Sequence, residues 1–220
     1  MTHPQEQETG LHGNRALHLA RETFDIEAAA ILGLKQRLGH AFSDAVALML
    51  AAQGRVVVMG MGKSGHIGRK MAATLASTGT PASFVHAGEA IHGDLGMVKA
   101  DDVVVAISNS GESQELVTIL PLVRRLGARI VAMTGRMDST LAQHADVVLD
   151  CSVAKEACPL NLAPTASSTA QLAMGDALAV ALLDARGFKR DHIARLAPGR
   201  PVRRELLPQV QHVMGRGEAV

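Results

Sequence analysis

The residues whose side chains are best suited to binding or catalysis lie in two short loops, each placed between an apolar run and a helical pattern. The first loop, Gly60–Gly65, reads GMGKSG and brings the ammonium of Lys63 beside a hydroxyl. The second loop, Ser108–Ser113, reads SNSGES. Free backbone N–H groups and the helix dipole favour an anion at a helix N-terminus. One phosphate group held by both loops is the economical interpretation, and the candidate ligands are Gly62, Ser64, Ser108, Asn109, Ser110 and Ser113.

The glycine spacing of the first loop also allows two nucleotide-binding alternatives. A dinucleotide-binding fold needs an acidic residue at the end of the next strand, and here that strand ends in Phe84–His86. A P-loop needs a glycine five positions before Gly62, where the chain has Val57. Both alternatives rank below a simple phosphate site.

A long polar connection, residues 153–169, supplies the other candidate residues. Glu156 follows the last predicted strand and is a plausible general base, although most surface carboxylates only form salt bridges. Thr165 and the hydroxyls after it can cap the helix that follows. Long loops in compact domains are usually functional.

Histidines and cysteines give weaker signals. His86 and His92, with Asp94 nearby, match no standard zinc spacing, so we expect them to line a substrate pocket and predict no metal. Cys151 and Cys158 are too few for a disulfide framework and are expected to be buried small residues.

The composition indicates an ordinary globular protein and narrows the partners. Of 220 residues, 47% are hydrophobic and 20% are charged, and the net charge is +1, so no general field attracts nucleic acid or membranes. Four phenylalanines, without Trp or Tyr, leave few stacking surfaces. The polar residues 1–10 do not resemble a secretory signal, and we expect a cytoplasmic protein that binds a small anion.

Periodicity predicts an α/β fold with five parallel strands in a doubly wound, flavodoxin-like sheet. Two N-terminal helices between Leu11 and Ala52 are expected to form a hairpin or a dimerisation surface. Predicted strands are Arg55–Met59, Ala82–His86, Asp102–Ile107, Ala128–Met133 and Asp146–Leu149, and predicted helices are Ser64–Ser77, Glu112–Leu126, Thr140–Gln143 and Ser167–Ala185. We expect glycine caps at Gly79, Gly127 and Gly187. The predicted divisions are a disordered start at 1–10, one domain at 11–188 and an arm or linker at 189–220.

Several consecutive segments resemble the sugar isomerase (SIS) domain of D-arabinose 5-phosphate isomerases. They are Gly60–Gly68 (GMGKSGHIG), Phe84–Gly96 (FVHAGEAIHGDLG), Ile107–Ser113 (ISNSGES), Ala154–Pro159 (AKEACP) and Leu162–Ala179 (LAPTASSTAQLAMGDALA). The resemblance implies interconversion of D-ribulose 5-phosphate and D-arabinose 5-phosphate without a cofactor, in the supply of 3-deoxy-D-manno-octulosonate for lipopolysaccharide or capsule. It also implies a homo-oligomer, expected to be a tetramer.

The same resemblance assigns phosphate binding to Ser64, Ser108, Ser110 and Ser113, and chemistry to Lys63, Glu112 and Glu156. An enediolate mechanism needs a base and a positive charge near the developing oxyanion, which agrees with these side-chain types.

Two departures from the family pattern matter. Where relatives carry a histidine after the long helix, this chain has Ala197, and His192 is the candidate substitute. Relatives also continue into regulatory CBS modules, so we expect a short form or a truncation. The alternative interpretation is therefore a non-catalytic sugar-phosphate sensor or scaffold.

Overall fold

The computed structural model describes residues 4–189 and contains seven α-helices and five strands over that range. The helices are α1 (Pro4–Arg37), α2 (His40–Ala51), α3 (Gly62–Ser77), α4 (Ala87–Ile91), α5 (Gln114–Leu126), α6 (Thr140–His144) and α7 (Ala166–Ala185). The strands are β1 (Val56–Gly60), β2 (Ala82–His86), β3 (Val103–Ile107), β4 (Arg129–Thr134) and β5 (Val147–Asp150). A short 3-10 helix, Asp94–Met97, follows α4.

The five strands form one parallel sheet in the order β2-β1-β3-β4-β5. After β1 the chain places β2 on one side and β3 on the other, so the strand order reverses between β1 and β3. Gly60, the last residue of β1, lies beside both His86 and Ile107 in the register. The loops after these three strands therefore leave the sheet together, at the crevice where open α/β sheets bind ligands.

Helices cover both faces of this sheet, as the predicted doubly wound fold requires. Successive side chains of a strand point to opposite faces. Val58 accordingly packs into a cluster with residues of α2, α3 and α7, whereas Val57 and Met59 pack into a second cluster with α5. Because β1 and β3 are buried on both faces, their sequences are apolar throughout rather than alternating.

The predicted strands agree with the structure to within one or two residues, whereas two helices begin elsewhere. Helix α3 begins at Gly62 rather than Ser64, and α5 begins at Gln114 rather than Glu112. The later start of α5 has a local cause, because Gly111 adopts a left-handed conformation with φ of 68°. The three predicted glycine caps have positive φ values, as expected: Gly79 (92°), Gly127 (92°) and Gly187 (62°).

The N-terminal part consists of two helices, as predicted, but α1 is longer than expected. It begins at Pro4, so the helix includes residues of the segment that was predicted to be disordered. Helix α1 packs against α7. The predicted division between a domain and an arm near residue 189 stays a prediction, since residues 190–220 lie outside the described part.

Helix α7 is the principal helix of the core. It is long and apolar enough to cross a membrane by length and composition alone, but half of the span is buried inside the fold. Leu178 and Leu182 are completely buried. Its apolar composition is therefore explained by packing.

Candidate active site

The turn between β1 and α3 brings the first predicted loop to the crevice. Gly62 begins α3 with a left-handed φ of 50°, a conformation that favours glycine. Lys63 is exposed and has no ion pair or hydrogen bond within residues 4–189. The Ser64 hydroxyl donates to Gln171 Oε1 over 3.1 Å, which links this turn to α7.

The serine-rich turn after β3 is held by its own hydroxyls. Ser108 is buried. Its Oγ accepts a hydrogen bond from the Gly111 amide at 3.1 Å and lies 3.0 Å from Ser113 Oγ. Ser110 Oγ accepts from the Glu112 amide at 3.2 Å and the residue is exposed. Ser108 and Ser113 therefore shape the turn, whereas the exposed Ser110 is the serine most available to a ligand.

Glu112, a predicted catalytic residue, makes its contact with a neighbouring helix. Its Oε1 accepts from the Thr140 amide at 2.8 Å at the start of α6, and this bond holds the carboxyl pKa below its usual value. The side chain thus ties the serine-rich turn to α6.

Glu156 lies where the long loop meets the beginning of α7. Its Oε2 accepts from the Thr165 amide at 2.8 Å, the Thr165 hydroxyl at 3.0 Å and the Ser167 amide at 3.2 Å. Thr165 occupies the N-cap position, but its Oγ1 accepts from the Ala157 amide at 2.8 Å and makes no capping bond itself. The carboxylate of Glu156 therefore binds two amides at the start of α7, whereas the sequence predicted that hydroxyls would cap this helix.

Two opposing effects act on the Glu156 carboxyl. Partial burial raises its pKa, whereas the donors of Ser167 and Thr165 lower it by more, and the net pKa lies below the usual value. Hydrogen bonds to the charged form have this effect. Glu156 is consequently a carboxylate at neutral pH, and its Oε1 makes no hydrogen bond within the described part of the chain.

Helix α7 connects Glu156 with the two loops that are predicted to bind phosphate. Ser167, whose amide binds Glu156, precedes Gln171, which binds Ser64, by one helical turn. The first turns of α3 and α7 are therefore neighbours, and the turn after β3 lies one strand away, at a spacing of about 4.8 Å. The structure thus assembles the two predicted loops and Glu156 at one edge of the sheet.

Two buried polar atoms at this edge, His86 Nδ1 and Asn109 Oδ1, have no hydrogen-bond partner among the described residues. Ser167 Oγ is also buried without a hydrogen bond of normal geometry, but it lies near the Glu156 carboxylate and lowers the pKa of that group. Buried polar groups normally find partners. The position of the first two atoms at the ends of β2 and β3 marks the edge as a polar, ligand-facing region. His92 is exposed, and the described residues contain no group of three metal-binding side chains. His192 and Ala197 lie outside the described residues.

The two cysteines differ from one another. Cys151 is completely buried, and burial raises its thiol pKa to about 12. Cys158 is only half-buried, contrary to expectation, and lines a cavity of about 470 Å³ together with Glu156. The backbone amides of Ala163, Leu162 and Leu160 lower the pKa of Cys158. The loop after β5 therefore stabilises negative charge at two neighbouring side chains.

Comparison with known proteins places this arrangement in a family. Residues 49–181 match the family model of the SIS domain. The chain belongs to the SIS domain family. The matched range extends from α2 into α7 and includes Glu156 and both loops that are predicted to bind phosphate.

Among curated relatives, this SIS domain chain is similar to arabinose 5-phosphate isomerases. It is 55% identical to the arabinose 5-phosphate isomerase KdsD of Pseudomonas aeruginosa over 204 residues, which cover 93% of this chain and 63% of the relative. It is also 55% identical to KdsD of Escherichia coli over 200 residues, covering 91% of this chain and 61% of the relative. The chain therefore spans about three fifths of the length of these relatives.

Solved structures of SIS proteins agree with the fold. The Escherichia coli protein c3406, solved in complex with arabinose 5-phosphate, superposes with a TM-score of 0.81 at 42% identity, covering 84% of this chain and 98% of that one. A putative phosphosugar isomerase involved in capsule formation from Bacteroides fragilis gives a TM-score of 0.79 at 34% identity, with coverage of 82% and 96%.

Proposed function

We propose that this SIS domain protein interconverts D-ribulose 5-phosphate and D-arabinose 5-phosphate. The observation that carries the proposal is an ionised carboxylate, Glu156, held at the start of α7 beside two helix N-termini suited to a phosphate. The curated relatives with 55% identity are named for this activity, and a similar structure was solved with arabinose 5-phosphate bound.

The reaction moves one proton between C1 and C2 of the open-chain sugar. Glu156 takes a proton from C1 of the ketose through its uncommitted Oε1, the C1–C2 enediolate forms, and a proton returned to C2 gives the aldose. Lys63 stabilises the negative oxygen of the enediolate or the phosphate, because it is a free ammonium at the start of α3. No electrons leave the sugar, so the step requires no redox partner.

The remaining candidates take supporting roles in the proposal. The phosphate lies against Gly62, Ser64 and the turn after β3, where Ser110 is exposed and Asn109 is half-buried. Glu112 positions that turn through its bond to Thr140, and Thr165 orients Glu156. His86 faces the sugar from the end of β2, with His92 at the rim, and His192 takes the place of the family histidine.

The proposed location, oligomeric state and use of the product are taken from the family resemblance. We propose a cytoplasmic homo-oligomer, a tetramer by resemblance, whose product enters the synthesis of 3-deoxy-D-manno-octulosonate. Its partners are the small sugar phosphate and further copies of the chain, with no nucleic acid or membrane.

Isotope exchange tests the chemistry directly. Incubation with D-ribulose 5-phosphate in deuterated water should yield D-arabinose 5-phosphate that carries solvent deuterium at C2, as measured by NMR. Glu156→Gln should lower kcat by about 10²-fold or more, the usual contribution of a general base. The same variant should still be stabilised against heat by the sugar phosphate, because the phosphate loops are unchanged.

A matched control is Asp184→Asn, an exposed carboxylate near the far end of α7, which should retain wild-type kcat. Stabilisation of the wild-type protein without any aldose would contradict the proposal and favour the sensor interpretation. Full activity in Glu156→Gln would remove the proposed base.

A further inference from the structure

The loop between Glu156 and helix α7 contains an unusual backbone conformation. Asn161 has φ of 53°, and it is the one non-glycine residue with a positive φ in the described part of the chain. Asparagine adopts this left-handed conformation more readily than most residues, but still at a cost in free energy. Such conformations persist where the surrounding contacts require them, and they are frequent at functional sites. The contacts of Asn161 therefore indicate what the conformation serves.

Two hydrogen bonds hold Asn161 in this conformation. Its backbone amide donates to the Cys158 carbonyl at 2.7 Å, which closes a turn with Pro159 at its second position, where proline is favoured. Its side-chain Oδ1 accepts from the Glu156 amide, also at 2.7 Å. Both distances lie at the short end of the normal range for such bonds. Asn161 thus joins the turn to the residue that carries the proposed base, and neither bond is visible in the sequence.

Within the chain, apolar packing does little to hold this loop. Leu160 is 75% exposed and Leu162 is 78% exposed, and Pro159, Asn161 and Ala163 are exposed as well. A segment with few buried apolar contacts opens easily unless other contacts hold it. The conformation of the loop therefore depends on hydrogen bonds, and Asn161 makes two of them.

Glu156 is held at both of its ends. At the side chain, Oε2 accepts from the donors of Thr165 and Ser167. At the backbone, the Glu156 amide donates to Asn161 Oδ1. A carboxyl group anchored through one oxygen can still pivot about that oxygen when its own Cα moves. The bond to Asn161 restricts this movement, so it limits where the free Oε1 can lie.

Glu156 and Asn161 also line one cavity, of about 470 Å³. The other charged or titratable side chains that line it are Cys158, Glu22 and Lys155, and the last two form an ion pair at 3.7 Å. Asn161 and the proposed base therefore lie beside the same open space at the edge of the sheet.

We infer that Asn161 is a positioning residue for the proposed base, and that its side-chain bond to the Glu156 amide holds the carboxylate in its productive orientation. The inference rests on the proposed function and adds to it a residue that acts through Glu156 rather than on the substrate. Misplacement of a catalytic group by about 1 Å can lower a rate by about 10²-fold, so loss of this bond should be measurable in kcat.

Kinetics of two variants separate the side-chain bond from the backbone conformation. Asn161→Gly removes Oδ1 but permits the positive φ, whereas Asn161→Ala removes Oδ1 and also disfavours the conformation. Both variants should lower kcat about tenfold, because the carboxylate is less well oriented. The KM for D-ribulose 5-phosphate should stay within about twofold of the wild-type value, since the predicted phosphate ligands are unchanged. Asn161→Ala should be the less stable of the two in urea.

Asn161→Asp is the conservative variant. Aspartate keeps an acceptor oxygen at the same position and tolerates the left-handed conformation, so kcat should return to near the wild-type value. Leu162→Ala is the matched control in the same loop, because Leu162 is 78% exposed and the substitution retains its backbone amide. Its kcat should equal that of the wild type.

A second measurement does not depend on turnover. The donors of Thr165 and Ser167 favour the charged carboxyl of Glu156, so the wild type should lose stability as the pH falls from about 6 to about 3. Asn161→Gly should lose less free energy of unfolding over this range, because the carboxylate meets these donors less well. In a Glu156→Gln background, Asn161→Gly should not change that loss further. The charged and titratable neighbours in the cavity are retained in all these variants.

A wild-type kcat in Asn161→Gly would overturn the inference, and so would a kcat that Asn161→Asp does not restore. A pH dependence of stability in Asn161→Gly that runs parallel to that of the wild type would overturn it as well. If the wild-type protein formed no aldose, the proposed reaction would fail, but the pH comparison would still decide whether Asn161 holds Glu156 in place.

Discussion

In the proposed mechanism, Glu156 combines two tasks in one carboxyl group. Its Oε2 accepts bonds from Thr165 and Ser167 and so satisfies the start of α7, while Oε1 stays available to a substrate. A base held in this way has little rotational freedom, which places its free oxygen reproducibly. The same bonds make the carboxylate a weaker base than a solvated one, since its pKa is lowered. In the proposed mechanism, the site therefore contributes orientation of the carboxylate, rather than basicity, to proton transfer.

The lowered pKa of Glu156 predicts a pH-dependent contribution to stability. A carboxyl group whose folded pKa lies below its unfolded value of about 4.5 stabilises the fold above that pH. The contribution is lost as the pH falls through the folded pKa. In urea unfolding from about pH 6 to about pH 3, the wild type should therefore lose more free energy of unfolding than Glu156→Gln.

Glu89→Gln is the control for this measurement, because Glu89 is exposed and its carboxyl group makes no hydrogen bond or ion pair within the described residues. Its stability should fall with pH in parallel with the wild type. Parallel curves for Glu156→Gln and the wild type would show that the Thr165 and Ser167 donors do not favour the charged carboxyl.

The turns that precede α3 and α5 depend on backbone conformations that few residues adopt. Gly111 has φ of 68°, and a β-carbon there would lie 2.1 Å from Ser139 Oγ. The Leu141 amide also donates to the Gly111 carbonyl at 3.1 Å. The serine-rich turn is thus pressed against the beginning of α6, and glycine is needed for both space and conformation.

Replacement of this glycine should damage the turn and the phosphate site together. We expect Gly111→Ala to lower the free energy of unfolding by about 1–3 kcal/mol, because a positive φ and a steric overlap act at the same residue. The KM for the sugar phosphate should rise as Ser108 and Ser110 shift. Chemical denaturation and steady-state kinetics measure the two effects.

Gly96→Ala provides the comparison, since Gly96 has no neighbouring atom within 4 Å of an added β-carbon and no positive φ. Its stability and KM should stay near the wild-type values. Equal stability and KM for Gly111→Ala and Gly96→Ala would show that the turn tolerates a β-carbon.

The whole domain depends on two apolar layers separated by the sheet. One layer includes Met71, Leu75 and Leu178 beneath α3 and α7, and the other includes Leu116 and Ile119 beneath α5. Since α7 carries both the deepest side chains of the first layer and the amides that hold Glu156, loss of packing on α7 affects stability and the site at once.

Two residues of α7 allow a buried side chain to be compared with an exposed one. Leu178 is completely buried and Val180 is 63% exposed. Leu178→Ala should lower the free energy of unfolding by about 2–5 kcal/mol, because it removes buried methyl groups and leaves a cavity. Val180→Ala should change it by about 0.5 kcal/mol or less. A Leu178→Ala variant as stable as Val180→Ala would contradict the assigned core.

By itself the sequence determined the order and approximate bounds of the strands, the doubly wound class and the positions of the two loops that are proposed to bind phosphate. These depend on local patterns: apolar runs of strand length, glycine at helix ends and hydroxyls before helices. The sequence also predicted Glu156 as the base, from its place after the last strand and from the family resemblance, without knowledge of its contacts, and that role stays a prediction.

Only the tertiary structure decided what each side chain contacts. The bond from Ser64 to Gln171, that from Thr140 to Glu112 and the capping of α7 by Glu156 join residues that lie 9 to 107 positions apart. Such pairings depend on how the helices pack across the sheet, which no local pattern encodes. Helix α1 shows the same limit, because its apolar periodicity is visible in the sequence but only the packed domain shows that Leu34 is covered while Leu17 and Phe24 are exposed.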